Sequence, residues 1–167
     1  TGTYLQGWSN AEQLRVWYQG FLGIQPDLEQ GVIRLAPRLP KAFGEVEFNS
    51  RIGAGVLNAS YKRSDRGRRY TWRLQGMTAR LDLDIVPFER HSFNAAAGDT
   101  LIVEQTADSL IVHHVRVSGS EQERVTLAPS PVRREQQARC DAILAGTEFA
   151  KPGVAAALPT MRQSRTP

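Results

Sequence analysis

The sequence of 167 residues predicts a mainly β fold: an antiparallel β-sandwich preceded by one amphipathic helix and followed by a short helix and an extended tail. Three observations support this prediction. Apolar residues near the start recur at three- and four-residue spacing, which is typical of one helix face. From residue 32 to residue 127 they recur at every second position in short runs, which is typical of strands. Turn-forming residues separate most of these runs, as in sandwiches and barrels.

The first helix is predicted over residues 10–22. Ser9 is a suitable N-cap, and Glu12, three residues later, would complete a capping box. Gly23 is suited to the C-cap, and Pro26 prevents the helix from continuing. The predicted apolar face is large for a single helix, so we expect it to pack against a neighbour. It consists of Ala11, Leu14, Trp17, Tyr18, Phe21 and Leu22.

The strands are predicted from alternation of apolar and polar residues. The alternating runs cover residues 32–36, 46–48, 56–61, 70–74, 81–85, 101–104, 110–115 and 125–127. Turn signals between them include Ser64-Asp65-Arg66-Gly67, Gly98-Asp99 and Ser118-Gly119-Ser120. Because most runs have one apolar and one polar face, antiparallel sheets are favoured.

The pattern weakens after Pro129. A short charged helix is predicted from Arg133 to Leu144, with Gly146 just past its end. Residues 147–167 are rich in Ala, Pro, Thr and Ser and are predicted to form an extended tail.

The composition indicates a globular protein with a mild positive charge of +4. The densest basic run straddles a predicted hairpin turn, where solvated charge is expected; it comprises Lys62, Arg63, Arg66, Arg68 and Arg69. No stacking aromatic pattern accompanies it, so we expect no nucleic-acid partner. No apolar run approaches about 18 residues, so we expect no membrane partner. The single cysteine, Cys140, excludes an internal disulfide and favours a cytoplasmic location.

Three segments near the start carry a family resemblance. Residues 2–12 read GTYLQGWSNAE, residues 21–27 read FLGIQPD, and residues 32–40 read VIRLAPRLP. In this order they resemble the C-terminal end of (α/α)6-barrel glycoside hydrolases of the amylo-α-1,6-glucosidase, or glycogen-debranching, type. In that family a Gln-x-Trp-Ser-x-Ala element opens the last barrel helix, and a Leu-x-Pro-Arg-Leu-Pro strand starts an accessory β-domain. The resemblance covers about a quarter of the chain.

The resemblance implies a division into three parts. Residues 1–25 would be the last helix of the catalytic barrel, residues 26–128 an accessory β-sandwich, and residues 129–167 a C-terminal helix and tail. The chain would then be the C-terminal segment of a hydrolase acting on α-glucan-like or other oligosaccharides. Its partners would be the rest of the catalytic domain and the carbohydrate substrate. No cofactor or metal is expected.

The same resemblance places the catalytic carboxylates in barrel loops upstream of Thr1, so we expect no catalytic residue in this chain and no activity from it alone. Two alternatives stay open: a stand-alone carbohydrate-binding or interaction sandwich, and a sandwich without a link to sugars. The helix face separates them. It would be exposed in a segment of a larger enzyme, whereas a stand-alone domain would bury it on its own sandwich.

Residues that precede the helix are the candidates for sugar contact. Gln6 and Trp8 lie where a barrel loop would face the active site, with Tyr4 nearby. An indole ring stacks on the C–H face of a sugar, and a glutamine amide bridges two hydroxyls, so we predict that Gln6, Trp8 and Tyr4 bind substrate. In the alternative interpretation, Trp8 is a hydrophobic staple on the helix.

The carboxylates in this chain have simpler explanations than catalysis. Glycoside hydrolysis usually needs two carboxyl groups about 5 to 10 Å apart across the scissile bond. Glu12 is expected to serve the capping box, and Asp27 to form a turn after the helix. Asp82 and Asp84 alternate along one strand and are expected to face water.

Histidines and aromatic residues on the strands also have simpler explanations than a functional site. His113 and His114 are adjacent on a strand, so they point to opposite faces and do not share a metal; His91 is distant in sequence. Tyr70 and Trp72 alternate with arginines. Exposed, they would form a sugar-binding platform, but large apolar residues at every second position usually mark a buried face, so we predict that they belong to the core.

Overall fold

A computed structural model describes residues 11–39 and 43–146. Helix α1 runs from residue 11, the first described, to residue 21, and its second half, Val16–Phe21, is a π-helix. Ten strands follow, and then helix α2. Their bounds are β1 (Ile24–Asp27), β2 (Val32–Leu35), β3 (Glu45–Ile52), β4 (Gly55–Ser64), β5 (Gly67–Gln75), β6 (Ala79–Leu83), β7 (His91–Ala95), β8 (Thr100–Gln105), β9 (Leu110–Val115), β10 (Glu121–Leu127) and α2 (Pro131–Gly146).

The strands form two sheets packed as a β-sandwich, which confirms the predicted fold class. One sheet has four strands in the order β1-β2-β6-β7, and the other has six in the order β10-β9-β8-β5-β4-β3. Nearly all neighbouring strands are antiparallel. The exception is β2 with β6, which pair in parallel. This pair arises because the chain builds β3, β4 and β5 in the other sheet before it returns beside β2, and parallel strands need such a long crossover.

The core lies between the two sheets and follows the alternation predicted from the sequence. On β5, Tyr70, Trp72 and Leu74 are buried, while Arg69 and Arg73 are exposed. The rings of Tyr70 and Trp72 stack with centroids 5.6 Å apart and planes 7° apart. Their assignment to the core is therefore confirmed, and neither ring is available as a platform for sugar.

Helix α1 ends close to the position predicted for it. The Leu22 N–H donates to the Trp17 carbonyl at 2.9 Å, which is the wider spacing of a π-helix. Gly23 follows with a φ of +70°, as expected of a C-cap glycine, and its carbonyl accepts a hydrogen bond from the Ala36 N–H at 2.8 Å. The helix end is thereby joined to the segment that leaves β2.

The sequence pattern missed β1 and β7. Pro26, interpreted only as a helix stop, lies inside β1. A proline is tolerated there because β1 is the outer strand of its sheet. An outer strand has a neighbour on one side only, so a missing backbone N–H on its other side interrupts no hydrogen bonds between strands. On β7 only Phe93 is a large apolar residue, which is too little alternation to indicate a strand.

Helix α2 is longer than predicted and includes Gly146, which was expected to lie past its end. Its start is attached to the β6–β7 loop, where the Ser130 N–H donates to the Pro87 carbonyl at 3.0 Å. Between Pro131 and Arg139 the side chains are exposed except that of Arg133. Neither helix, in the residues described, has the length and apolar character needed to cross a membrane. The predicted tail, residues 147–167, lies outside the described residues.

Candidate functional site

Helix α1 carries an exposed apolar surface, which we call the helix surface and define by Leu14, Val16 and Trp17. Their exposed fractions are 66%, 52% and 43%. Large hydrophobic residues are exposed at six positions in the described part of the chain, and these three lie within four consecutive residues. Single exposed apolar residues are ordinary. Three within one helical turn, although residues two apart do not share a helix face, make this turn a candidate binding surface.

Aromatic rings extend the helix surface beyond the helix. The ring centroid of Trp17 lies 5.1 Å from that of Phe21 and 5.7 Å from that of Phe43, which it meets edge to face. Phe43 belongs to the segment before β3. Two parts of the chain that are distant in sequence therefore contribute to one apolar surface.

The other side of helix α1 is anchored to the sandwich. Tyr18 meets Phe48 edge to face at 6.4 Å, and Phe48 meets Tyr61 at 5.4 Å. Leu22 is buried in the core. The apolar face predicted for the helix is thus divided: Tyr18 and Leu22 contact the sandwich, whereas Leu14 and much of Trp17 face solvent.

A buried tyrosine hydroxyl fixes the end of the helix. Tyr61 on β4 donates to the Leu22 carbonyl at 2.6 Å and accepts from the Trp72 Nε1–H at 3.1 Å. Burial raises the pKa of Tyr61 although the Trp72 donor opposes the rise, so the hydroxyl keeps its proton and remains a donor. The last carbonyls of a helix lack partners within it, and Tyr61 satisfies one of them.

The residues predicted to contact sugar, Tyr4, Gln6 and Trp8, lie outside the described residues, as does the predicted N-cap Ser9. They precede a helix whose other end is held by Gly23 and Tyr61. Their roles in substrate binding stay predictions.

Two carboxylates that were weighed as catalytic have local partners. Glu12 is exposed, and its Oε1 lies 3.6 Å from Arg15 Nη1. Asp27 accepts the Gln30 N–H at 3.1 Å through its Oδ1, as a turn residue does. These contacts give both carboxylates a structural explanation that requires no catalytic role.

The expectation that Asp82 and Asp84 both face water is wrong for Asp84. Asp82 stays near the surface and pairs with Arg80 at 3.0 Å. The Asp84 side chain is 9% exposed and pairs with Arg133 of α2 and with Arg90 at 3.2 Å. Burial raises the pKa of Asp84, but the two guanidinium groups outweigh burial and hold it below its usual range. The pair of Asp84 with Arg133 docks α2 on the sandwich. No local sequence pattern could reveal this pair, because its two residues lie far apart in the chain.

The adjacent histidines on β9 point to opposite faces, as predicted. His114 is buried, with Nε2 3.1 Å from Asp99 Oδ2. His113 lies on the outer face, with Nδ1 3.4 Å from Glu121 Oε1. Among the side chains that are described, those of residues 11–39 and 43–139, no group of three or more His, Cys, Asp or Glu residues is arranged to hold a metal ion. The buried pair with Asp99 was not apparent from the sequence, because the two residues lie on different segments.

Comparisons with protein-family models, with curated proteins and with solved structures found no match to this chain.

Proposed function

We propose that this chain is the C-terminal segment of an (α/α)6-barrel glycoside hydrolase that acts on α-glucan-like or other oligosaccharides. In this proposal helix α1 is the last barrel helix, and the sandwich supports it from one side. The observation that supports the proposal is the helix surface: Leu14, Val16 and Trp17 face solvent on a helix that contacts the sandwich only near its end, through Tyr18 and the following Leu22. The catalytic carboxylates would come from the rest of the barrel.

The energetics favour a partner for the helix surface. Burying one large aliphatic or aromatic side chain contributes about 1.5–3 kcal/mol, and this surface presents three. A helix normally buries one stripe against one layer, but the described part of α1 contacts the sandwich only near its end, through Tyr18 and the following Leu22, and leaves its other apolar side chains open. A helix enclosed between a sandwich and other helices would bury those side chains as well. The sequence resemblance around residues 2–40 is the reason for proposing that those helices are a glycosidase barrel.

The anchoring of α1 supports a structural role for the sandwich. Tyr61 and the close approach at Gly23 hold the helix end rigidly. A partner that docks on Leu14 and Trp17 therefore meets a preformed surface, which lowers the entropic cost of docking. The sandwich would position the last helix rather than contact the reacting atoms.

The alternative of a stand-alone carbohydrate-binding sandwich has less support. Its proposed platform, Tyr70 and Trp72, lies in the core. The outer face of the six-stranded sheet has a shallow depression lined by polar side chains that include Asn49, Asn58 and Arg73. Phe48 is the one aromatic residue that lines this depression, and its ring packs against Tyr18 and Tyr61 on the inner side of the sheet, so the depression lacks an outward ring on which a sugar could stack.

The activity test compares the 167-residue chain with the longer protein that includes its upstream coding sequence. We expect the longer protein to hydrolyse α-1,6- or α-1,4-linked gluco-oligosaccharides or a related glycoside, and the short chain to hydrolyse none. Turnover by the short chain alone would refute the proposal. Upstream sequence without a helical array bearing two essential carboxylates would refute it as well.

The contact test uses Leu14→Glu with Leu28→Glu as its matched control, since Leu28 is also exposed, at 55%, but lies in the β1–β2 turn. In the short chain we expect either change to alter the free energy of unfolding by less than about 0.5 kcal/mol. In the longer protein, Leu14→Glu should destabilise by roughly 2 kcal/mol or more, because it buries a charge in the barrel contact. Equal, small effects of Leu14→Glu in both proteins would show that α1 has no such partner.

A further inference from the structure

Two arginines oppose each other at the end of the β4–β5 hairpin. Arg63 on β4 is the direct cross-strand partner of Arg68 on β5, two positions beyond the pair formed by Tyr61 and Tyr70. Since side chains alternate along a strand, both arginines project to the same inner face as the two buried tyrosines. Both arginines are only partly exposed. They are therefore not the fully solvated charges that the position of the basic run at a turn predicts.

The charges on the outer face of the same hairpin are matched, and those on the inner face are not. On the outer face, Lys62 pairs with Glu45 at 2.5 Å and Arg69 pairs with Glu104 at 3.5 Å. Among the carboxylates of residues 11–39 and 43–139, whose side chains are described, none has an oxygen within 4.0 Å of a guanidinium nitrogen of the inner pair or of the turn arginine; these are Arg63, Arg68 and Arg66. Like charges directly opposite on neighbouring strands destabilise a sheet, so this arrangement favours a counter-charge.

The surroundings of the two arginines strengthen their attraction for an anion. They line a cavity whose other walls include the apolar side chains of Leu39 and Phe43 and the ring of Tyr70. Burial raises the pKa of Tyr70, and the Arg68 and Arg63 charges oppose that rise, so both guanidinium groups act on the Tyr70 hydroxyl. Apolar walls lower the local dielectric, and charge interactions are stronger there than in water.

We infer that Arg63 and Arg68, with Arg66 from the turn, form a binding site for a tetrahedral oxyanion, namely a phosphate or sulfate group, free or as an ester. A guanidinium group presents a planar fork of N–H donors that matches two oxygens of such an anion. Arg66 lines a depression together with Arg63 and Arg68 on the side facing Thr106 and helix α2. The site requires no glycosidase activity and stands independently of the proposed function.

The binding test titrates inorganic phosphate into the 167-residue chain at constant ionic strength and follows it by calorimetry and by ³¹P line broadening. We expect a dissociation constant on the order of 1 mM for the unaltered chain. Arg68→Gln and Arg63→Gln should each weaken binding at least tenfold. The matched control is Arg73→Gln, which removes an exposed arginine from the outer face of the same strand and should leave binding unchanged. Equal weakening by Arg68→Gln and Arg73→Gln would overturn the inference.

A stability measurement covers the case in which a variant binds weakly because it folds poorly. Without phosphate, Arg68→Gln should unfold at the same temperature as the unaltered chain or higher, because it removes a like-charge pair. Phosphate should then raise the unfolding temperature of the unaltered chain and of Arg73→Gln more than that of Arg68→Gln. Phosphate also stabilises proteins by exclusion from their surfaces, so an equal rise in all three proteins would refute a specific site.

Whether the anion is free phosphate or a phosphate ester is determined by comparing the binding of inorganic phosphate, glucose 6-phosphate and glucose. Tighter binding of the sugar phosphate than of inorganic phosphate would assign the site to a phosphorylated sugar. Equal binding of the two would assign it to the phosphate group alone, and either result supports the inference. Binding of a single-stranded oligonucleotide without any response to the two small phosphates would overturn it, because it would indicate a diffuse polyanion surface.

Discussion

Replacing Tyr61 with phenylalanine tests whether one hydroxyl holds helix α1 on the sandwich. The ring stays in place, so packing against Phe48 and Trp72 is kept. What is lost is the hydroxyl that donates to the Leu22 carbonyl at 2.6 Å and accepts from the Trp72 Nε1–H at 3.1 Å. Both partners are buried and have no water in reach to replace it, since Leu22 is 8% exposed and Trp72 0% exposed.

The magnitude follows from the two groups left unsatisfied. Each buried donor or acceptor that loses its only partner costs about 1–3 kcal/mol. Two such groups give a loss of roughly 2–6 kcal/mol, with the lower end expected if the helix end shifts to let water in. Small domains are stable by about 5–15 kcal/mol, so the change should move the denaturation midpoint clearly.

The assay is urea denaturation at 25 °C followed by far-UV circular dichroism, with Tyr70→Phe as the matched control. The Tyr70 hydroxyl makes one partly buried hydrogen bond, to Gln105 Oε1 at 2.9 Å, so its removal should cost only about 1 kcal/mol. Amide exchange should also accelerate at the end of helix α1 in Tyr61→Phe and stay unchanged in Tyr70→Phe. A loss in Tyr61→Phe no larger than that in Tyr70→Phe would refute the reasoning.

Three further changes have defined outcomes. Gly23→Ala should destabilise by more than about 1 kcal/mol in urea denaturation, because Gly23 has a φ of +70° and an added Cβ would lie 2.1 Å from the Ala36 carbonyl carbon; an unchanged midpoint would contradict this. The lowered pKa of Asp84 means that its pairing with Arg133 stabilises fully above the unfolded pKa of about 3.9 and is lost as the pH falls below it. The stability difference between the unaltered chain and Asp84→Asn should therefore shrink from pH 6 to pH 3, and a constant difference would contradict it. In the longer protein, Trp8→Ala should raise KM for an oligosaccharide; unchanged kinetics with lower stability would identify Trp8 as a helix staple instead.

The fold could be predicted from the sequence because its signals are local. On β5 the alternation of Tyr70, Trp72 and Leu74 with polar residues indicates both a strand and its buried face. The parallel pairing of β2 with β6 could not be predicted, since it depends on which sheet the chain returns to after β5. β1 was hidden by Pro26, which is acceptable only because this strand lies at an edge.

The contacts that position the candidate sites are mostly long-range and were not predictable. Asp84 lies on an alternating run that indicates a solvated carboxylate, and it becomes buried only because α2 places Arg133 against it. Similarly, nothing near Tyr61 in sequence indicates that its hydroxyl reaches the end of α1, which is 39 residues away. Alternation gives the face on which a side chain lies, but not the element that covers that face.

Arg63 and Arg68 show what can be predicted from the face of the sheet on which a side chain lies. Once the Ser64–Gly67 turn fixes the hairpin register, the pairing that places Tyr61 opposite Tyr70 also places Arg63 opposite Arg68 on the same inner face. The same register places Lys62 and Arg69 outside, where acidic residues of β3 and β8 pair with them. One basic run is therefore divided between the two faces of the hairpin. The outer charges are paired within the sheet, whereas the inner pair has no carboxylate partner on the described strands, which is the basis of the proposed anion site.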